Sequence, residues 1–209
     1  AFIWNDFSEI TIPASVEYIG TQAFDGVGIE TLILNEGLIE MESWVFAHNN
    51  LSRIFIPASV EIIDINAFAE QSVELEIYVQ AISKPSGWVD SWNIDMYSVV
   101  WGYTPTSSEY FTTIPNGEGL EITGYSDLGP KEVVIPYMID GKAVTSIGVG
   151  AFNGSNLTSV VVPFSVVEIK DEAFAFNNIN SFTFEKNSSL LSIGASGLYQ
   201  SGISELILP

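Results

Sequence analysis

The hexapeptide Ile56-Pro57-Ala58-Ser59-Val60-Glu61 also stands earlier, at Ile12-Pro13-Ala14-Ser15-Val16-Glu17. The two copies are 44 positions apart. A weaker copy, Leu34-Asn35-Glu36-Gly37-Leu38-Ile39, sits midway, 22 from each. A fixed period of this length marks a solenoid, in which one unit cannot bury its apolar face alone and stacks on its neighbours. The pair that follows the hexapeptide keeps the same phase, as Ala23-Phe24, Val45-Phe46 and Ala67-Phe68. One step back lies Ala1-Phe2, so the chain is expected to begin inside a repeat, at a processing boundary or an imposed cut.

Each unit reads apolar-x-x-apolar-x-apolar, often closed by Pro. Phe7-x-x-Ile10-x-Ile12-Pro13 and Leu51-x-x-Ile54-x-Ile56-Pro57 fit it, and Ile29-x-x-Leu32-x-Leu34 fits without the Pro. The last step has period two, which predicts a short strand with one face inward. Pro lacks the amide donor and ends the ladder. Val16, Ile19, Ala23 and Phe24 complete the inward set. Gly20 suits a turn needing positive φ, Asp64 at the same phase tolerates it, and Glu42 fits poorly.

The fourth unit slips by one residue, with Ile77-x-Val79 as its strand. The period is expected to break from about 80 to 132. This predicts a first block over 1–79, a connecting and capping segment over 80–131, and a second block over 132–209. In the middle segment, Trp88, Trp92, Tyr97, Trp101 and Tyr103 are expected to cover the end of the first stack. Tyr110 to Tyr125 reads as a hairpin around Asn116-Gly117, capping the second block. The period then resumes through Ala151-Phe152 and Ala173-Phe174. The segment Ile203-x-x-Leu206-x-Leu208-Pro209 starts one more strand.

Composition narrows the function classes. The 209 residues carry 26 acidic and 6 basic side chains, a formal net charge of −20. That excludes a nucleic-acid binder, which needs a basic surface, and favours basic partners. There is no Cys, hence no disulfide, thiolate nucleophile or thiolate metal ligand. No run of 18 apolar residues is present, so no membrane insertion is expected of this stretch. The opening residues lack the basic-then-apolar pattern of a secretory leader.

The aligned unit L-x-x-L-x-I-P-x-S-V-x-x-I-G-x-x-A-F resembles the BspA-type, or Treponema pallidum-type, leucine-rich repeat. Ile12-Pro13, Ser15-Val16, Ile19-Gly20, Ala23-Phe24 and their equivalents carry the likeness. Trp101-Gly102-Tyr103, Leu120-x-Ile122-Thr123-Gly124-Tyr125 and Asp140-Gly141-Lys142 look like that family's lead-in to a fresh repeat block. Departures are Asn35 and Glu185 in the Pro slot, Val45 for Ala, and Gly197-Leu198 for Ala-Phe. The resemblance implies a leucine-rich-repeat solenoid, curved and right-handed like the α/β horseshoes. It would be strand-rich, with a parallel sheet and short helical or 3-10 turns. It also implies a bacterial secreted or cell-surface protein that adheres to host or cell-surface proteins.

Catalytic alternatives are poorly supplied. Gly148-Val149-Gly150-Ala151-Phe152-Asn153-Gly154 looks like a nucleotide loop, yet it overlaps the repeat phase Ile-Gly-x-x-Ala-Phe. His48, the one histidine, sits in the turn Ala47-His48-Asn49-Asn50 and reads as solvated. Zinc needs several His or Cys ligands. Asp90, Asn93 and Asp95 offer calcium-type oxygens without the loop spacing that holds the ion. Asn50-Leu51-Ser52, Asn153-Gly154-Ser155, Asn156-Leu157-Thr158 and Asn187-Ser188-Ser189 match the glycosylation pattern and read as turn chemistry. No catalytic residue, cofactor or metal is expected. The candidate binding residues are outward positions on the strands: Thr31, Ile33, Arg53 and Phe55 in the first block, and Val161, Thr183 and Ile207 in the second. Exposed Ile33, Phe55, Val161 and Ile207 would be unusual on an inert surface. The leading reading is a non-enzymatic, surface-located protein-binding or adhesion module with host or cell-surface proteins as partners. A glycan-binding module built on the Trp/Tyr cluster and a passive spacer are the alternatives.

Overall fold

The computed structural model describes residues 7–209. The Ala1-Phe2 phase therefore lies outside the described residues. The chain divides into two compact units, the first ending at Tyr103 and the second running from Thr104 to Pro209.

In the first unit, four-residue strands alternate with two-residue strands. They are β1 (Glu9–Ile12), β2 (Tyr18–Ile19), β3 (Thr31–Leu34), β4 (Glu40–Met41), β5 (Arg53–Ile56), β6 (Ile62–Ile63), β7 (Glu76–Val79), β8 (Gly87–Trp88) and β9 (Ser98–Trp101). All pairs in this unit are parallel and join equivalent positions of adjacent coils, such as Ile10 with Leu32 and Ile54 with Ile77. The short strands form one continuous sheet, β2-β4-β6-β8. The long strands form two ladders, β1-β3 and β5-β7-β9, and no ladder joins β3 to β5. At that step the coils are still tied by the Asn50 amide, which donates to Ile29 O at 2.8 Å.

The period, expected to break near 80, runs on for one more coil. β9 pairs with β7 from Glu76↔Ser98 to Val79↔Trp101, and Trp88 takes the place of Ile63 in the short-strand sheet. The aromatic residues are thus that coil's own inward set. Trp88 and Trp92 are buried, with ring centroids 4.8 Å apart, and Trp101 leans on both. The Trp88 indole N–H donates to Val60 O at 3.2 Å. Tyr97 OH accepts the Gln71 amide at 3.0 Å.

The second unit contains β10 (Phe111–Asn116), β11 (Gly119–Tyr125), β12 (Glu132–Val134), β13 (Met138–Ile139), β14 (Lys142–Ile147), β15 (Ser159–Val162), β16 (Glu168–Ile169), β17 (Ser181–Phe184) and β18 (Ser192–Ile193). β10 and β11 are an antiparallel hairpin, and β11 then pairs in parallel with β14. The hairpin lays Phe111 and Tyr125 over Phe152, at 6.2 and 5.2 Å. Burial pushes the Tyr125 phenol up to about 12, and its OH donates to Pro130 O at 2.8 Å. The expected strand at 206–208 does not form: 205–209 has no regular structure.

The expected helical turns are corrected. Among the described residues the one helix is a 3-10 turn, Ser108–Tyr110, outside the repeats. The third side of each coil is an irregular turn, and its backbone bonds along the stack. Gln22, Phe24 and Gly26 amides donate to Ser43, Val45 and Ala47 carbonyls; Trp44, Phe46 and His48 donate to Ile65, Ala67 and Ala69, all within 2.9–3.1 Å. Positive φ falls at two fixed phases, two residues before and two after the repeat Phe. These are Gln22, Trp44, Asn66, Gly150 and Glu172, then Gly26, His48, Glu70, Gly154 and Phe176. Gly20, assigned that role from sequence, is not among the positive-φ residues. The Gly20-Glu42-Asp64 phase serves otherwise. Glu42 accepts the Thr21 amide at 2.7 Å, and Asp64 accepts the Ser43 hydroxyl at 2.7 Å.

Two columns hold the coils together. Phe24, Phe46 and Phe68 stack almost parallel at 5.4 and 5.9 Å, and Phe152 and Phe174 do so at 4.8 Å. Three residues after Phe46, Phe68 and Phe174 comes a side-chain amide turned into the coil, where Phe24 and Phe152 are followed by Val27 and Ser155. Asn49 Oδ1 accepts the Val27 and Ile29 amides at 3.2 and 3.0 Å, while its Nδ2 donates to Phe24, Phe46 and Ala47 carbonyls at 2.8–3.0 Å. Gln71 and Asn177 repeat the pattern one phase along in each unit. The amide supplies donors and acceptors to backbone that would otherwise be buried without partners.

Urea denaturation tests this division of labour. Phe46→Ala should cost about 3–5 kcal/mol through the cavity left behind. Asn49→Ala should cost about 3 kcal/mol by stranding buried carbonyls and amides. Glu172→Gly, at a left-handed position, should gain roughly 1 kcal/mol; a clear loss there would contradict the assigned backbone.

Candidate functional site

The long strands point alternate residues outward, in two rows fixed by register. In the first unit these are Glu9 beside Thr31 and Thr11 beside Ile33, then Arg53, Glu76 and Ser98 beside Phe55, Tyr78 and Val100. In the second they are Glu132, Ser159 and Ser181 beside Val134, Val161 and Thr183.

A packed patch occupies the β5-β7 part of this face. Arg53 Nη2 meets Glu76 Oε2 at 2.6 Å, with each side chain only 8% exposed. The Arg53 guanidinium lies 5.5 Å from the centroid of the Tyr78 ring, a cation–π contact. Phe55 stacks on Tyr78 at 4.9 Å, and Tyr103 closes on both at 5.3 and 5.0 Å. The Tyr78 hydroxyl donates to Glu76 Oε2 at 3.4 Å. This is an aromatic box around an ion pair.

The sequence-derived residues meet different fates. Arg53 and Phe55 come together on β5, within the patch. Thr31 is exposed, but Ile33 is buried, against the expectation that it would be open. Val161 is half-buried and adjoins exposed Thr183 through the β15-β17 register. Ile207 is 76% exposed on a stretch without a strand. Glu76 and Tyr78 are not among the residues expected from sequence, although the slipped strand Ile77-x-Val79 aligns with Ile54-x-Ile56 and sets them opposite Arg53 and Phe55. Tyr103 belongs with this patch rather than with the tryptophans.

The other candidates resolve into structure. The Gly148–Gly154 stretch is one turn of the coil. A Cβ on Gly148 would sit 2.6 Å from Glu121 Oε1, and Gly150 and Gly154 take the two positive-φ phases. The oxygens considered for calcium are otherwise engaged. Asp90 pairs with Lys84, Asn93 Oδ1 accepts the Tyr97 amide at 3.0 Å, and Asp95 accepts the Glu70 amide at 2.6 Å. Among the described residues, no three His, Cys, Asp or Glu side chains are placed to hold a metal ion. Burial of Trp88 and Trp92 leaves those rings no open face for a sugar. His48 is no isolated solvated residue. Its Nδ1 lies 2.7 Å from Asp25 Oδ1, its Nε2 lies 3.4 Å from Glu70 Oε2, and its ring stacks on Trp44 at 5.7 Å. It links three successive coils. The hydrogen bond to Asp25 holds its pKa above the usual histidine value.

Comparison with known proteins adds the following. The model of the "BspA type Leucine rich repeat region" matches in six copies over residues 1–84 and 135–209. A search of curated proteins finds no match. Among solved structures, a leucine-rich cell surface protein from Faecalibacterium prausnitzii A2-165 is 23% identical, over 85% of this chain and 41% of its own, with a TM-score of 0.34. A leucine-rich repeat protein from Eubacterium ventriosum is 18% identical, over 92% of this chain and 52% of its own, with a TM-score of 0.40. The pneumococcal vaccine antigen PcpA is 17% identical, over 95% of this chain and 69% of its own, with a TM-score of 0.29. The chain spans about half or less of the first two.

The His48 link should show in pH dependence. Its pKa is raised on folding, so its contribution is complete below the ordinary value near 6.5 and is lost as pH rises through the folded value. The side chain is 45% exposed, which holds the effect under about 1 kcal/mol. Urea midpoints should fall from pH 6 to pH 9 in the parent by more than in His48→Gln; equal falls would remove the link.

Proposed function

The chain belongs to the BspA-type leucine-rich repeat family, and from that premise we propose that it is a non-enzymatic protein-binding or adhesion module, displayed at a cell surface or secreted. The observation that carries this reading is the contrast between the two faces of the long strands. Inward positions repeat the same apolar chemistry from coil to coil, as Leu32, Ile54, Ile77 and Val160. In the first unit the outward positions change at every rung, as Thr31, Arg53 and Glu76, then Ile33, Phe55 and Tyr78. Solenoids bind along such extended faces. Thr31, Ile33, Arg53 and Phe55 are the contact rows of the first unit, and Val161, Thr183 and Ile207 those of the second. Ile33 supports the row from beneath, and Arg53 fixes the Phe55-Tyr78 patch. No helix among the described residues is long and apolar enough to cross a membrane.

The test is a panel of purified extracellular-matrix and cell-surface proteins, titrated against the immobilised chain. A partner so found should lose roughly tenfold in affinity, about 1.4 kcal/mol, with Thr31→Arg or Phe55→Ala in the first unit, or Thr183→Arg in the second. Melting temperatures would confirm that the variants fold. A partner indifferent to all three variants would move the site elsewhere. Binding that disappears on deglycosylating the partner would identify a glycan ligand, and an empty panel would favour a spacer.

A further inference from the structure

Two of the chain's asparagines precede a glycine, in Asn116-Gly117 and Asn153-Gly154. All four residues are exposed. Glycine has no Cβ to shield its own amide, so that amide can approach the side-chain carbonyl carbon of the residue before it. A glycine nitrogen that bonds to the asparagine Cγ closes a five-membered imide and expels ammonia. By sequence the two sites carry the same chemistry, but their backbones are held differently.

Asn153-Gly154 lies in a turn that bonds along the stack. The Gly154 amide donates to Ala175 O at 3.0 Å, the Asn153 amide to Gly150 O at 3.0 Å and the Ser155 amide to Phe152 O at 3.3 Å. Three successive amides are thus engaged, and Ser155 beyond them is buried. The nitrogen that would attack is committed to the next coil. Asn116-Gly117 is the tip of the β10-β11 hairpin. Asn116 pairs with Gly119, which leaves Gly117 and Glu118 as a two-residue loop. Gly117 takes a φ of 60° and Glu118 is not among the positive-φ residues, the pattern of a II′ turn with glycine first. Among the described residues the Gly117 amide has no hydrogen-bond partner. β10 is the edge strand of its sheet, and Pro115 brings no amide to the ladder beside the tip.

We propose that Asn116 is a site of spontaneous deamidation in the folded protein, and that the stack shields Asn153 from the same reaction. The Gly117 amide gives its proton to a base in solution, and its nitrogen bonds to Asn116 Cγ. The Cγ–Nδ2 bond breaks, and Nδ2 takes up a proton and leaves as ammonia. Water then adds across one of the two imide carbon–nitrogen bonds, its oxygen to carbon and a hydrogen to nitrogen. Breaking the bond to Cγ gives aspartate, and breaking the bond to the main-chain carbonyl gives isoaspartate. Either product places a new carboxylate beside Glu118. Isoaspartate also adds a methylene to the main chain, which disturbs the Asn116↔Gly119 pair. Gly119 itself has no room to follow, since a Cβ there would lie 2.6 Å from Thr145 Cγ2 and 2.8 Å from Ala143 O. The change therefore falls on the tip of the hairpin that caps the second unit. It is independent of the long-strand face and of any partner bound there.

The test is incubation of the full chain in mildly alkaline buffer at physiological temperature, followed by proteolysis and mass spectrometry of the two Asn-Gly peptides. The Asn116 peptide should gain the mass of an amide-to-acid exchange roughly ten times faster than the Asn153 peptide, or more, because the Gly154 amide reacts only when its coil opens. Isoaspartate should appear beside aspartate, recognised by its resistance to a protease that cleaves before aspartate. In urea that unfolds the chain the two rates should agree within about threefold. Asn116→Gln should leave its peptide unchanged over the same period, since the longer side chain would have to close a six-membered ring. An unchanged Asn116 peptide in the folded chain, or aspartate as its sole product, would overturn the assignment. An Asn153 peptide that converts as fast, or a rate gap that persists undiminished in urea, would overturn the shielding.

Discussion

Every coil leaves its turn backbone facing the next coil, and the stack exists because those groups find partners there. The Phe columns supply apolar contact, but they lie beside peptide groups that water cannot reach. Asn49, Gln71 and Asn177 solve that problem from within, each serving its own turn and the preceding one. A Phe column without the amides would strand polar backbone in an apolar interior, at a cost comparable to the packing gained. This is why the amide sits at a fixed distance from the ring. It is also why Val27, on the first described coil, can replace it: there the Asn49 side chain reaches back to its amide.

Much of the fold was legible in the sequence because apolar burial is periodic and periodicity survives substitution. The strand phases, the capping hairpin and the column residues Phe46 and Phe152 all follow from spacing. Hydrogen-bonded roles were less legible. Asn49 looked like any turn asparagine, since nothing in its letter distinguishes a solvated amide from a buried one with five partners. The left-handed turn was sought at Gly20, whereas the backbone places it at Gln22, Trp44 and Asn66. Residue type reports steric permission, and here the coil-to-coil hydrogen bonds overrule it. At the candidate site the strand Ile77-x-Val79 was placed correctly, but a glutamate and a tyrosine on it carry no periodic signal, and the pairing of Arg53 with Glu76 shows only in the side-chain geometry.

The scaffold also defines where function can reside. Ile54, Phe68 and Asn49 have no freedom, because each serves neighbours on both sides. Outward rows are constrained only by the backbone pitch. Those of the first unit hold two different chemistries: an aromatic box around an ion pair on the long strands, and an alternation of apolar and acidic residues, Tyr18, Glu40 and Ile62, on the short ones. The same scaffold in the second unit presents mainly serine, threonine and valine at the equivalent places, with Glu132, Glu168 and Leu191 among them.

The parallel register has a kinetic meaning. Partners in the regular ladders are about one coil apart in sequence: Glu9 with Thr31, Tyr18 with Glu40, Arg53 with Glu76 and Ser159 with Ser181. The entropy of closing each loop is therefore nearly the same for every coil, and it does not grow as the array lengthens. β-rich folds are usually slowed by pairings that reach across the whole chain. Here a nucleus of two coils can arise anywhere in a unit and extend by one coil at a time. Lengthening such a protein adds steps to its folding without making any single step harder.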